Sequence, residues 1–332
     1  MTNTTITALH WDMIVERIHK GLCVPFLGAG ANVRSEGYEG LPLGSEVAIH
    51  LFEKMIGIPI TDLNDVAQVI PHICLAQSER YKDLVRVALQ DLARVALHVE
   101  FGADSAYPTN LLKTILPDDK REPSQLLTRL AQLPLQLIVT TNYDRLMERA
   151  LEKNNQPYVL VIQPIKGFDV AALKELEAKL AEHEGVIVYK IHGTFREHEL
   201  EDASAQIIIT EEDNIEFLTV VGIQNVGVPN LIAEKIVDST LLFLGYGLED
   251  WDFRTIFKGL IERLPPRTQR KSFAIQKDPP DFWVEFWKKK NVEIYNMERP
   301  PARTGPAVRD KLERITSRRG HAIRALRLAA SQ

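Results

Sequence analysis

The stretch CVPFLGAGANV, from Cys23 to Val33, begins as a buried strand and then breaks into glycine. Five mostly apolar residues run to Leu27, and Gly28-Ala29-Gly30 follows. Glycines at the end of a core strand let the backbone lie close to a phosphate, but they also allow a tight turn that binds nothing. Because position 33 is Val, the dinucleotide pattern G-x-G-x-x-G is incomplete, and this stretch alone leaves both interpretations open.

Other apolar runs alternate with helical patterns, such as Trp11–Gly21 and the Trp-rich Asp281–Lys290. Near-continuous apolar strands separated by helices predict an α/β fold, a Rossmann-like parallel sheet with helices on both faces. The predicted strands are Leu22–Leu27, Leu135–Asp144, Gly185–Gly193, Ala205–Thr210, Ser239–Gly247, Lys271–Gln276 and Val292–Met297.

The region from Leu43 to about Leu133 interrupts this alternation, because it has helical patterns and almost no strand signal. Within it, Lys82–Val99 places apolar residues along one helical face. We expect residues 1–298 to form one sheet domain, with residues 43–133 as a helical insertion packed over it. We expect residues 299–332 to form a separate basic tail.

Composition is ordinary for a soluble globular protein, with 45% hydrophobic and 26% charged residues. The overall charge of −5 hides an asymmetry: the tail from Arg299 carries nine Lys and Arg against two acids, a net +7, which leaves −12 on the rest. Such a tail indicates a charged partner or a subunit contact, or else a solvated terminal helix. The N-terminus lacks the features of a secretory signal and no segment has the apolar length of a membrane span, so we expect a cytoplasmic protein.

Four predicted strands end in small or polar residues: Gly28-Ala29-Gly30, Thr141–Asp144, His192-Gly193 and Gly245-Tyr246-Gly247. In a doubly wound sheet the carboxyl ends of parallel strands meet at one edge, where ligands bind, so these groups are expected to converge. Each also has a structural explanation. Asn142 and Asp144 can cap the next helix, and His192 can be a core residue satisfied by backbone.

The order of these motifs resembles the sirtuin-like NAD-binding domains of bacterial antiphage defence proteins. The matching stretches are FLGAGANV, GLPLGSEVA, VTTNYDRLMERAL, YKIHGTF, IIITEEDNIEFL and LFLGYGLEDWDFR, from Phe26 to Arg254. The resemblance implies a Rossmann-like sheet that binds NAD⁺. By position it implies two catalytic residues: Asn142, which would hold the nicotinamide ribose and the attacking water, and His192.

The resemblance also assigns residues that bind NAD⁺. Asp144 would contact the nicotinamide amide. Gly28, Ala29, Gly30 and Asn32 would face the diphosphate, and Gly245, Tyr246 and Gly247 would lie near the adenosine ribose or a phosphate.

The chain departs from sirtuin deacylases at the zinc module, whose two CxxC pairs are missing because Cys23 and Cys74 are the only cysteines. The helical insertion stands in place of that module, and we expect no metal site. The resemblance therefore implies an NAD⁺ glycohydrolase that releases nicotinamide and ADP-ribose and acts as an abortive-infection effector. Alternatives are a protein deacylase or ADP-ribosyltransferase on the same fold, or a non-catalytic nucleotide-binding scaffold. Activation is expected through a homo-oligomer or a protein partner in trans, such as a HerA-type ATPase or a short Argonaute-type protein.

Overall fold

A computed structural model describes residues 8–34, 37–56, 91–102, 107–117, 120–194, 207–221, 227–248, 251–261 and 270–296. The basic tail, Cys74 and the first half of the predicted helix Lys82–Val99 lie outside these residues. Within the described part of the chain, no helix is long and apolar enough to cross a membrane.

Seven parallel strands form one sheet in the order β3-β4-β2-β1-β5-β6-β7. The predicted α/β fold with a Rossmann-like parallel sheet is confirmed. The strands are β1 (Cys23–Leu27), β2 (Leu137–Thr140), β3 (Tyr158–Ile162), β4 (Val186–Lys190), β5 (Thr240–Leu244), β6 (Ser272–Gln276) and β7 (Val292–Asn296).

Helices surround the sheet and bury an apolar cluster against each of its faces. Alternation along β1 shows why both faces must be covered, since Cys23 and Leu27 belong to one cluster and Val24 and Phe26 to the other. The helices are α1 (Ala8–His19), α2 (Gly44–Ile56), α3 (Leu92–Gly102), α4 (Tyr107–Ile115), α5 (Gln125–Leu130), α6 (Leu146–Lys153), α7 (Val170–Glu182), α8 (Glu211–Val221), α9 (Asn230–Asp238), α10 (Trp251–Ile256) and α11 (Asp281–Lys288). A π-helical turn, Phe257–Ile261, continues α10.

The central strand β1 lies between β2 and β5 and pairs in parallel with both. From β1 the chain goes on to β2 on one side of the sheet, whereas from β5 it goes on to β6 on the other. The strand order therefore reverses at β1 and β5, the place where sheets of this type bind ligands beyond the carboxyl ends of their strands.

The described residues between 43 and 133 form the helices α2 to α5, and no strand is found among them. Helix α2 packs against α3 and α4, and its Val47 and Leu51 share the apolar cluster of Leu27. The helices of this region thus cover one face of the sheet. Its status as an insertion in place of a zinc module stays a prediction.

The described part of the predicted helical stretch Lys82–Val99 forms α3, which begins at Leu92, where Asp91 Oδ1 accepts the backbone N–H of Ala93. The predicted strand Ala205–Thr210 is wrong. The run Ala205–Thr210 contains no strand among its described residues, 207–210.

The isoleucines of that run are buried outside the sheet. The backbone N–H of Ile208 donates to the carbonyl of His192. The N–H groups of Ile209 and Thr210 donate to Asp213 Oδ2, while Thr210 Oγ1 accepts from the backbone N–H of Asp213. This capping arrangement uses the donors that a strand would need, and it starts α8 at Glu211 instead.

The sequence prediction also missed β3, an edge strand that pairs only with β4 in the described sheet. Its burial alternates along the strand, unlike the fully buried β4. The segment YVLVI is nevertheless a continuous apolar run, so the local signal for this strand was present in the sequence and was overlooked.

Candidate active site

The loops after β1, β2, β4 and β5 follow four neighbouring strands and line one cavity of about 920 Å³. A cavity of this size is ample for a nucleotide-sized ligand. Every candidate residue except Gly30 lies in its wall: Gly28, Ala29, Asn32, Asn142, Asp144, His192, Gly245, Tyr246 and Gly247.

The β1 and β5 loops touch each other through glycine. A Cβ atom on Gly30 would lie 2.8 Å from the Cα of Gly245, and one on Gly28 would lie 2.6 Å from the Gly245 carbonyl oxygen. Gly245 itself has φ of +74°, and a Cβ there would lie 2.2 Å from the backbone N of Ala31. These glycines are required by the contact between the loops, before any ligand is considered.

Asn142 lies just beyond the end of β2, and its carboxamide turns toward the β1 loop. Its Nδ2 donates to the carbonyl of Gly28 over 3.1 Å, and its backbone N–H donates to Thr140 Oγ1 over 3.0 Å. Its side chain does not cap the following helix, so the structural explanation given for Asn142 from sequence is wrong. Asn142 Oδ1 makes no hydrogen bond with the described residues and remains an acceptor at the cavity.

Asp144 accepts a hydrogen bond at the start of the following helix, as its structural explanation expects, and it also lies in the cavity wall. Its Oδ1 accepts the backbone N–H of Leu146, the first residue of α6. Both carboxylate oxygens also accept from Asn32 Nδ2, over 3.2 and 3.3 Å, so that Asp144 joins the β1 and β2 loops. Asn32 Oδ1 is buried and has no hydrogen-bond partner among the described residues.

His192 follows β4 and is only 5% exposed. Burial lowers the pKa of its imidazole to about 4, so the ring is neutral near pH 7. The ring meets Phe217 edge-on at a centroid distance of 6.3 Å, and its Nε2 has no hydrogen-bond partner among the described residues. A core histidine was expected to hydrogen-bond to the backbone, and Nε2 of His192 makes no such bond with the described residues.

Tyr246 packs the β5 loop against the β2 loop. Its hydroxyl lies 3.2 Å from Thr141 Oγ1, and its ring contacts Phe253 at a centroid distance of 5.0 Å. Burial raises the pKa of the Tyr246 phenol, which keeps it neutral.

A buried lysine, Lys190, lies beneath these loops and was missed by the sequence analysis. Its Nζ is 3.0 Å from Glu148 Oε1, with both side chains fully buried, and it donates to the carbonyl of Asp144 and to Thr194 Oγ1. Thr194 Oγ1 in turn donates to the carbonyl of Tyr143. This cluster of Lys190, Glu148 and Thr194 ties the loop that carries Asn142 to the loop that carries His192.

The remaining wall comes from helices outside the four strand ends. Helix α3 and the residue before it contribute Asp91 and Arg94, and α10 contributes Arg254. Arg254 stands in the LFLGYGLEDWDFR stretch, whose position after a glycine-rich strand end was the available signal. Within the described ranges, no group of three or more His, Cys, Asp or Glu side chains could hold a metal ion.

Part of the chain that carries this site is similar in sequence to known proteins. Residues 136–295 match the family model described as the SIR2-like domain, which includes Asn142 and His192 but not the β1 loop. The NAD(+) hydrolase ThsA of Cytobacillus dafuensis is 34% identical over 128 residues, which cover 38% of this chain and 22% of that protein. The aligned part thus spans only about a fifth of the relative. Residues 136–295, nearly half of the chain, are thus similar to the SIR2-like domain.

Proposed function

We propose that the chain is an NAD⁺ hydrolase, in which water replaces nicotinamide at the ribose C1′ to give ADP-ribose, nicotinamide and a proton. The observation that carries the proposal is the joint placement of Asn142 and His192, beyond neighbouring strands, in the wall of one cavity. The similarity to a protein named as an NAD(+) hydrolase supports it.

The reaction depends more on positioning the ribose and the attacking water than on a strong base. Nicotinamide leaves as a neutral group from a cationic ring, and the transition state has oxocarbenium character, so the enzyme must hold the ribose and supply one oriented water. Asn142 is suited to orient it, since Nδ2 is fixed on Gly28 and Oδ1 remains an acceptor. The neutral His192 can accept a proton from that water or from a ribose hydroxyl at Nε2.

The first prediction is that Asn142→Ala and His192→Ala each reduce nicotinamide release by about 10²–10⁴-fold. Because the two residues serve one step, the double variant should be little slower than either single one. Release is measured on activated protein, and melting curves are recorded on the same samples. His50→Ala is the control, because His50 is exposed on α2 and outside the cavity wall.

Single variants that keep full activity per folded molecule would contradict the assignment of Asn142 and His192. If the wild type consumes NAD⁺ only when an acyl-peptide is present, the deacylase alternative takes the place of hydrolysis.

We further propose that hydrolysis serves antiphage defence in the cytoplasm, by depleting NAD⁺ in infected cells. Activation would come from homo-oligomer formation or from a partner in trans, of the HerA-type ATPase or short Argonaute-type kind. The test is NAD⁺ loss in cells that carry the gene with its neighbours, before and after phage infection. NAD⁺ levels that stay constant while the phage is restricted would contradict this role.

A further inference from the structure

Arg254 stands apart from the other charged residues of the cavity wall. It lies on α10, and its guanidinium carbon is 5.3 Å from the centroid of the Trp283 ring. Its Nε is buried and has no hydrogen-bond partner among the described residues. An unsatisfied buried donor costs free energy, and more so when it is charged, so a partner supplied by a ligand would recover that cost.

The other charged side chains described in the wall already have partners in the chain. Arg94 Nε lies 2.6 Å from Glu211 Oε1. Asp91 caps α3, and Asp144 is held by Asn32. Within the described wall, this leaves Arg254 as the cation without a carboxylate partner.

We propose that Arg254 binds the diphosphate of the dinucleotide, an inference that rests on the proposed function. A guanidinium offers a planar fork of donors that matches two phosphate oxygens, and the Trp283 ring beneath the guanidinium of Arg254 limits where that fork can lie. The loops after β1 and β5 line the same cavity, so a dinucleotide bound there would lie along the wall that carries Arg254. Arg254 therefore supplies the positive charge for its diphosphate.

The inference is tested by calorimetric binding of ADP-ribose, ADP and adenosine, none of which undergoes the proposed reaction. Arg254→Gln should weaken ADP-ribose and ADP by about 10-fold or more and leave adenosine unchanged, because one charge-assisted contact is lost. Arg254→Lys keeps the charge but loses the fork, and should give an intermediate loss. Lys258→Gln removes the same charge from an exposed position one turn further along, outside the wall, and should bind all three ligands like the wild type.

Equal weakening of adenosine and ADP, or no weakening of either, overturns the role of Arg254. If Arg254→Gln does not fold, Arg254→Lys decides: wild-type affinity for ADP overturns the proposal, and a selective loss for the diphosphate ligands supports it. Diphosphate binding that depends on Arg254 in a protein that releases no nicotinamide would support this subsite while contradicting hydrolysis. Absence of ADP-ribose binding to the folded wild type would overturn the diphosphate subsite, and nicotinamide release remains the separate test of hydrolysis.

Discussion

The imidazole of His192 makes the free energy of unfolding depend on pH. In the folded chain its pKa lies near 4, whereas the ordinary value is 6.5. The unfolded chain therefore binds a proton at a pH where the folded chain does not. The stability due to the neutral ring is complete above pH 6.5, decreases as the pH falls toward 4 and is lost below that value.

We accordingly predict that His192→Gln removes part of the acid sensitivity of the fold. Between pH 7 and pH 4 the wild type should lose on the order of 3 kcal/mol more than the variant, as the pKa difference requires. The measurement is urea unfolding of both proteins across this range. His10, whose pKa is also lowered by burial, is present in both and cancels in the comparison. Parallel pH profiles would contradict the buried neutral state of His192.

At the scale of elements, the cluster around Lys190 joins β4 to α6 and fixes the two loops that follow β2 and β4. A buried ion pair gains little over apolar residues of equal size, but removing one partner leaves an uncompensated charge. The main effect of the cluster is therefore to hold the loops after β2 and β4 in position, rather than to increase the free energy of unfolding.

Lys190→Met should lower the free energy of unfolding by about 3–5 kcal/mol, because the Glu148 carboxylate then lacks its cation. Lys190→Met combined with Glu148→Leu should recover much of that loss. Denaturant unfolding measures both, with Lys20→Met as the control, since the exposed pair Lys20–Glu16 contributes less than about 1 kcal/mol. A single variant as stable as the wild type would mean that the pair does not persist in solution.

The sequence predicted those elements whose signal is local. Continuous apolar runs identified β1, β2 and β5, and glycine or asparagine at their ends indicated the cavity wall. It failed where tertiary context decides, because the isoleucines at 207–209 are buried outside the sheet, beside the capping arrangement that starts α8. The prediction also overlooked β3, although YVLVI is a continuous apolar run. The contact of Lys190 with Glu148 joins β4 to α6, which lie together only because of the strand order. No local sequence pattern predicts this contact.

For the whole molecule, the position of β1 determines what can fold alone. The family match covers residues 136–295, yet β1 pairs between β2 and β5 in the middle of the sheet. A fragment limited to the match would expose the facing edges of two fully buried strands.

We predict that residues 136–295 expressed alone aggregate or unfold without cooperativity, whereas the full chain unfolds in a cooperative transition. Circular dichroism during heating and size-exclusion chromatography distinguish the two. A soluble monomeric fragment with a sharp transition would show that β1 is dispensable for the sheet.

The same arrangement has a consequence for synthesis on the ribosome. β1 leaves the exit tunnel well before its partners β2 and β5, which begin only at Leu137 and Thr240. Until those strands are made, the apolar segment β1 has no strand to pair with, and it can associate with other nascent chains instead. Pro25, in the middle of β1, has no N–H to donate, and prolines are what interrupt aggregation-prone runs of this kind. We therefore expect Pro25 to reduce the association of this strand with other chains in the interval before its neighbours are translated.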